Sequence, residues 1–275
     1  MRTIRPKGTL IPIGGGEDKH HEKNILCRVI EETGKSKPKI CLITVASSVP
    51  EEVAQDYREA FKALGVSNLS VIHFTAHKDA DTSANIKAVA NCDAVMMSGG
   101  DQLRLSSLLG GTAIMDQIIH RYYDEPSFVV AGSSAGAAAM SNTMIVSGSS
   151  QDAMMKGSLQ LTNGLGLITH ALVDTHFTQR GRFGRIVQTI IGNPGVIGLG
   201  LGEDTGMVIH KGDVMEVIGS GLVVIIDGST INYTDLTEIC DSEIITVEGV
   251  TMHMLGPRKK FSLVKRKLIQ NSKQQ

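Results

Sequence analysis

The sequence lacks most of what would tie it to a charged or membranous partner. Its formal net charge is −1 over 275 residues, so no overall field draws it to nucleic acid or to an anionic lipid surface. No apolar run approaches a transmembrane span, and the start, "MRTIRPKGTLIPIGGG", holds too short an apolar stretch for a signal peptide. A cytoplasmic protein with no membrane and no nucleic-acid partner is expected. The cysteines Cys27, Cys41, Cys92 and Cys240 form no CxxC pair, and three lie in or beside apolar runs, so free thiols in a reducing compartment are expected. There is no Walker lysine, and neither "PIGGGEDK" nor "GLGLG" has the G-x-G-x-x-G spacing of a dinucleotide loop. His20 and His21 are adjacent and cannot face one site from a helix, so neither a metal nor a cofactor is expected.

What is present is a long alternation. With 41% hydrophobic and 20% charged residues, the chain has ample material for a core. Short apolar runs at 9–13, 39–45, 69–74, 93–98, 128–132, 171–177 and 195–202 read as strands. Helical periods separate them at 21–33, 83–91, 101–109, 112–124 and 181–191, and in "PEEVAQDYREAFKALG", where Val53, Tyr57, Ala60, Phe61 and Leu64 share one face. Near-continuous apolar strands alternating with helices predict an α/β fold: a mostly parallel sheet with helices on both faces. After residue 204 the texture becomes short strands joined by Gly-containing turns, so 204–257 is expected to extend one edge of the sheet as an antiparallel meander. No linker divides the chain, which predicts a single domain over 1–275. The segment 258–275 reads as a basic, solvated tail.

Gly132-Ser133-Ser134-Ala135-Gly136 matches G-x-S-x-G between a strand and a run of small residues. In that setting the motif makes a nucleophile elbow, a strained strand-to-helix turn that tolerates only small neighbours and lifts the Ser134 hydroxyl above the sheet. A plain Gly/Ser turn with an N-cap serine would read the same. Other strand ends bear on the choice, because ligands of open α/β sheets bind beyond the carboxyl ends of the strands. "SGGDQ" follows the strand at 93–98 and offers the backbone of Gly99 and Gly100, with Gln102 in reach; the Ala135 amide is a further oxyanion donor. His176 ends the strand at 171–177 with Arg180, Arg182 and Arg185 close behind, and Glu203 follows the strand at 195–202. Serine, histidine and acid at one end of three strands are what a triad needs. Their order differs from the Ser, Asp, His order of α/β-hydrolases, which argues against an ordinary esterase.

"IPIGGGEDK", "SGGDQ", "GSSAGA", "DTHFTQRGRFGR" and "GLGLGEDTG", in this order, resemble the cyanophycinases. These belong to a group of serine exopeptidases that also contains the aspartyl dipeptidases. The resemblance implies a sheet akin to class I glutamine amidotransferases, a flavodoxin-like arrangement. It implies Ser134 as nucleophile, His176 as base and Glu203 as its orienting acid. It also implies a substrate pocket lined by Gln102, Asp174, Arg180, Arg182 and Arg185, and a homodimer. Thr175 departs from the family's usual glutamine, and its shorter side chain reaches less far. The implied substrate is cyanophycin, a poly-aspartate with arginine on each side-chain carboxylate, cut to β-aspartyl-arginine. Its arginines need acidic partners, and Glu17, Asp18, Asp101 and Asp174 all lie near predicted strand ends. Two other readings stay open: an aspartyl or isoaspartyl dipeptidase of the same group, and a non-catalytic member that binds a peptide.

Overall fold

The computed structural model describes residues 5–270. Through residue 133 the apolar pattern translates directly into elements. In chain order these are β1 (Thr9–Ile13), α1 (Asn24–Glu32), β2 (Lys39–Ile43), α2 (Pro50–Ala63), β3 (Asn68–Ile72), α3 (Ser83–Asn91), β4 (Ala94–Met97), α4 (Gln102–Leu109), α5 (Ala113–Asp124) and β5 (Val129–Ser133). Pro50 sets the first turn of α2 beside Glu51 and Glu52, which favour a helix N-terminus. The five strands lie parallel, and every residue of β1 and β5 is buried. Alternation divides their side chains between two cores. Ile11, Ile13, Leu42 and Met96 meet α1 and α2, whereas Leu10, Ile43, Met97 and Val130 meet the α3–α5 side.

Beyond residue 133 come α6 (Ala135–Ala139), β6 (Thr143–Ser147), β7 (Gln160–Asn163), β8 (Ala171–Asp174), α7 (Phe183–Gly192), β9 (Ile197–Leu201), β10 (Thr205–His210), β11 (Val214–Gly219) and β12 (Val223–Asp227). β13 (Tyr233–Thr234), β14 (Val247–Glu248), β15 (Thr251–Leu255), β16 (Lys260–Ser262) and β17 (Lys267–Ile269) complete the chain. β10 pairs antiparallel with β1 and begins an antiparallel flank, giving a nine-stranded sheet ordered β17-β16-β11-β10-β1-β5-β4-β2-β3. The fold is therefore α/β with a mixed central sheet, parallel over β1 to β5 and antiparallel from β10 outward.

Two expectations are corrected here. β8 and β9 leave the central sheet and join β12 and β15 in a second one, ordered β15-β12-β9-β8. Glycines on β9 let α7 and its approach press onto it. A Cβ on Gly198 would lie 2.0 Å from a methyl of Ile186, and one on Gly200 would lie 2.5 Å from the Phe177 ring. The meander after 204 is accordingly split, with β10 and β11 on the central sheet and β12 on the other. The basic segment from 258 is also not a solvated tail over its described part. Phe261, Ser262 and Leu263 are buried while Lys260 stays exposed, and the segment forms two strands at the sheet's edge, the outermost of them exposed. The four cysteines are free: Cys41 and Cys92 are buried, Cys27 is half-buried and Cys240 is exposed. Among the described residues, no helix is long and apolar enough to cross a membrane.

Candidate active site

The end of β1 is the hub on which the site is assembled. The carbonyl of Ile13 accepts the amide of Ser134, that of Gly14 accepts the amide of His176, and that of Gly15 accepts the amide of Asp204, each at 2.9 Å. Three loops from three different strand ends are thus tied to three successive residues. Gly15 has φ +94°, and a Cβ there would lie 2.5 Å from the His176 ring, so a side chain would displace the imidazole. The triple glycine that fails as a dinucleotide loop has this structural task.

Ser134 sits in the elbow that its motif predicts. Its φ is 50° and its ψ −108°, a conformation that costs a non-glycine residue of order 1–3 kcal/mol. The turn is tight enough that a Cβ on Gly132 would lie 2.6 Å from the backbone of Gly136. A Cβ on Gly136 would in turn lie 2.4 Å from the Met97 carbonyl oxygen, so both ends of G-x-S-x-G must be glycine. His176 also has positive φ, 49°, as does Asp204 at 44°. Ser134 Oγ lies 2.9 Å from His176 Nε2, and His176 Nδ1 lies 2.6 Å from Glu203 Oε1. The Glu203 side chain is 44% exposed and that of His176 only 16%. Asp204 is otherwise engaged, accepting the Asp18 amide and the Ser220 hydroxyl. Gln179, which sequence reasoning passed over, accepts the Glu203 amide at 3.1 Å and fixes the loop that carries the acid.

Gly99 and Gly100 border the cleft at Ser134, and no backbone carbonyl among the described residues accepts their amides. Ala135 opens the short α6 directly after Ser134. The cleft has a volume of about 290 Å³, and its other lining includes Glu17, Lys19, Asp56 and Tyr57. None of Gln102, Asp174, Arg180, Arg182 and Arg185, expected to line a substrate pocket, is among those that border it. Asp174, Thr175 and Arg185 are buried. Asp174 Oδ1 receives Arg182 Nη1 at 3.0 Å, and its Oδ2 faces Arg185 Nε at 3.3 Å. The Thr175 carbonyl accepts Arg182 Nη1 at 2.8 Å. Gln102 donates to the carbonyls of Ile145 and Val146, tying α4 to β6. Arg180 alone of the three arginines is exposed. These groups brace the segment around His176, and the reason is coordination: two guanidiniums converge on one buried carboxylate.

Glu17, one of the acids expected to pair with a substrate arginine, is committed to partners within the protein. Its carboxylate is buried and accepts hydrogen bonds from the Tyr57 hydroxyl and, at 2.5 Å, from the Ser133 hydroxyl, with the Lys19 ammonium 2.9 Å away. Burial alone would push this carboxyl up, but Lys19 and the two hydroxyls hold it below the usual carboxylate range. Its only sequence signal was an acidic residue directly after a glycine run at a strand end.

Comparison with known proteins places this geometry. Peptidase family S51 matches residues 10–217. The chain belongs to peptidase family S51. Over nearly its whole length this S51 peptidase is similar to proteins named cyanophycinase. One, from Synechococcus elongatus, is 32% identical over 94% of this chain and 80% of its own length. Another, from Geminocystis herdmanii (strain PCC 6308), is 33% identical over 93% of this chain and 94% of its own. Among solved structures, a peptidase from an acI-B1 Actinobacterium shares the fold with a TM-score of 0.70, at 21% identity, over 94% of this chain and 98% of that one.

Proposed function

We propose that this S51 peptidase is a cyanophycinase, a serine exopeptidase that cuts the poly-aspartate backbone of cyanophycin through an acyl-enzyme and releases β-aspartyl-arginine. The observation that carries the reading is the continuous relay from Ser134 through His176 to Glu203, held at one cleft by the hub of β1. In it, Ser134 Oγ attacks the scissile carbonyl while His176 Nε2 takes its proton. Glu203 orients the imidazole and stabilises the imidazolium. The amides of Gly99, Gly100 and Ala135 serve as donors to the developing oxyanion. His176 then returns the proton to the leaving amine, and the second half-reaction repeats the cycle with water. Asp174, Arg182 and Arg185 act from beneath, by fixing the loop that presents His176. Arg180 is the arginine left free for a substrate carboxylate.

Similarity to cyanophycinases over nearly the whole chain favours the polymer over free dipeptides as substrate. The same reading includes a single catalytic domain over 1–275, kinship with class I glutamine amidotransferases in the elbow following β5, a homodimer and a cytoplasmic site. The experiment is a product analysis of cyanophycin, plain polyaspartate and aspartyl dipeptides under one set of conditions. Release of β-aspartyl-arginine from cyanophycin is expected. Cleavage confined to free dipeptides would replace the proposal with the dipeptidase.

A further inference from the structure

We infer that Lys19 forms a carboxylate-binding subsite in the Ser134 cleft, its ammonium held in place by the buried network of Glu17, Tyr57 and Ser133. The inference rests on the cyanophycinase reading for its choice of ligand. Glu17 is 4% exposed. One of its oxygens takes the Tyr57 hydroxyl and the Lys19 ammonium, and the other takes the Ser133 hydroxyl. A carboxylate so occupied is an anchor and has little left to offer a substrate.

Lys19 is the member of the group with donors to spare. Its ammonium is ion-paired with Glu17 at 2.9 Å and stands 4.8 Å from the centroid of the Tyr57 ring. Its side chain is 20% exposed. Lys19 is also the one lysine or arginine among the residues that line the cleft holding Ser134 and His176. Any anionic group bound beside the nucleophile therefore meets this ammonium, whose charge Glu17 offsets in part and whose remaining N–H donors are unused. Because Glu17 and Tyr57 already fix the side chain, little rotamer freedom is left to lose on binding. Asp56, exposed on α2, borders the same cleft, so the lining carries both signs. So does the substrate. Each branch of cyanophycin bears a guanidinium and, since the arginine amine is spent in the β-amide, a free arginine carboxylate. The chain end supplies a second kind of carboxylate.

The test uses the Ser134→Ala protein, which holds substrate without turning it over, and isothermal calorimetry with three short oligomers. These are the arginine-branched aspartate oligomer, the same with its chain end amidated, and the same with agmatine replacing arginine. One modified oligomer is expected to bind about tenfold or more weakly than the parent, the ratio that one charge-assisted hydrogen bond supplies. Weakening by the amide assigns the chain end, and weakening by agmatine assigns the branch. Adding Lys19→Met, which keeps the stem and removes the charge, should bring the parent down to the weaker value and erase the difference. Lys19→Arg should keep most of it. Equal affinities for all three oligomers, an unchanged pattern in Lys19→Met, or binding of none of them would overturn the inference. The ligand comparison within the Ser134→Ala protein does not depend on how Lys19→Met folds. Failure of the cyanophycinase reading alone has a separate signature: the Lys19-dependent preference persists, yet wild-type protein releases no dipeptide.

Discussion

Glu17 and Asp174 are both buried beneath the strand ends that carry the triad, at 4% and 3% exposure. Yet their surroundings drive them in opposite directions. Asp174 has two guanidiniums beside it, but its Oδ2 and the Arg185 Nε that faces it make no well-aligned hydrogen bond. Burial pushes its carboxyl above the ordinary value, more than Arg185 and Arg182 pull it down. Glu17 has the Lys19 ammonium in an ion pair and two hydroxyls hydrogen-bonded to it, and burial loses to their sum. Opposite charge acts on both carboxylates, Lys19 on one and two arginines on the other; what Glu17 has in addition is the pair of hydroxyl donors on its two oxygens, whereas Asp174 Oδ2 has no aligned donor. The difference suits the two tasks. Asp174 gathers the arginine segment behind His176, whereas Glu17 presents a lysine to the cleft.

The comparison breaks most visibly at Asp174. Asp174→Ala strands two guanidiniums and should cost about 3–5 kcal/mol of stability, read as a shift of the urea midpoint, because removing one partner leaves buried charge uncompensated. A loss below about 1 kcal/mol would mean that Arg182 and Arg185 find water instead. Glu203, the exposed carboxylate of the rim, sharpens the contrast: its effect should fall on turnover. Glu203→Gln should lower kcat about 10²–10³-fold with an unchanged midpoint. Asp204→Asn, whose side chain meets Asp18 and Ser220 and not His176, should leave kcat within a few-fold. Reversed sizes would make Asp204 the orienting acid.

Glu17→Gln should cost less stability than Asp174→Ala, about 1–3 kcal/mol at neutral pH, and should show a pH dependence with a fixed sign. The folded-state pKa of Glu17 lies below its unfolded value. Its contribution is thus complete above the unfolded carboxyl range and fades as pH falls through the lower, folded value. Urea midpoints of wild type and Glu17→Gln should converge on acidification. A gap that widens toward low pH would contradict the ionised, donor-saturated carboxylate.

The strands and helices through residue 133 were legible because both faces of each parallel strand are covered, which leaves a near-continuous apolar run to read. Sheet membership was not. β8 and β9 have the same texture as β1 and β5, and only packing reveals that Gly198 and Gly200 make room for Ile186 and Phe177. The strands after 258 were hidden because lysines at a sheet edge look like a solvated tail, although the short run Phe261–Leu263 between them is buried. Within the site, Ser134, His176 and Glu203 stood out as reactive residue types at strand ends. Gly14 and Gly15 did not, because their part is played by carbonyl oxygens that every residue has. Glu17 was legible as an acid near a strand end but not as the buried anchor of Lys19, for a related reason: its partners Tyr57 and Ser133 lie 40 and 116 residues away in the chain.

The central claim is that Ser134, activated by His176 and Glu203, cuts cyanophycin. It is tested most directly by the rate of β-aspartyl-arginine release by wild type and by Ser134→Ala, with a serine-directed fluorophosphonate to mark the reactive hydroxyl. The account predicts that Ser134→Ala unfolds at the wild-type urea concentration, loses on the order of 10⁶ in turnover and no longer takes the label. A folded Ser134→Ala protein that still releases the dipeptide at a substantial fraction of the wild-type rate would contradict it.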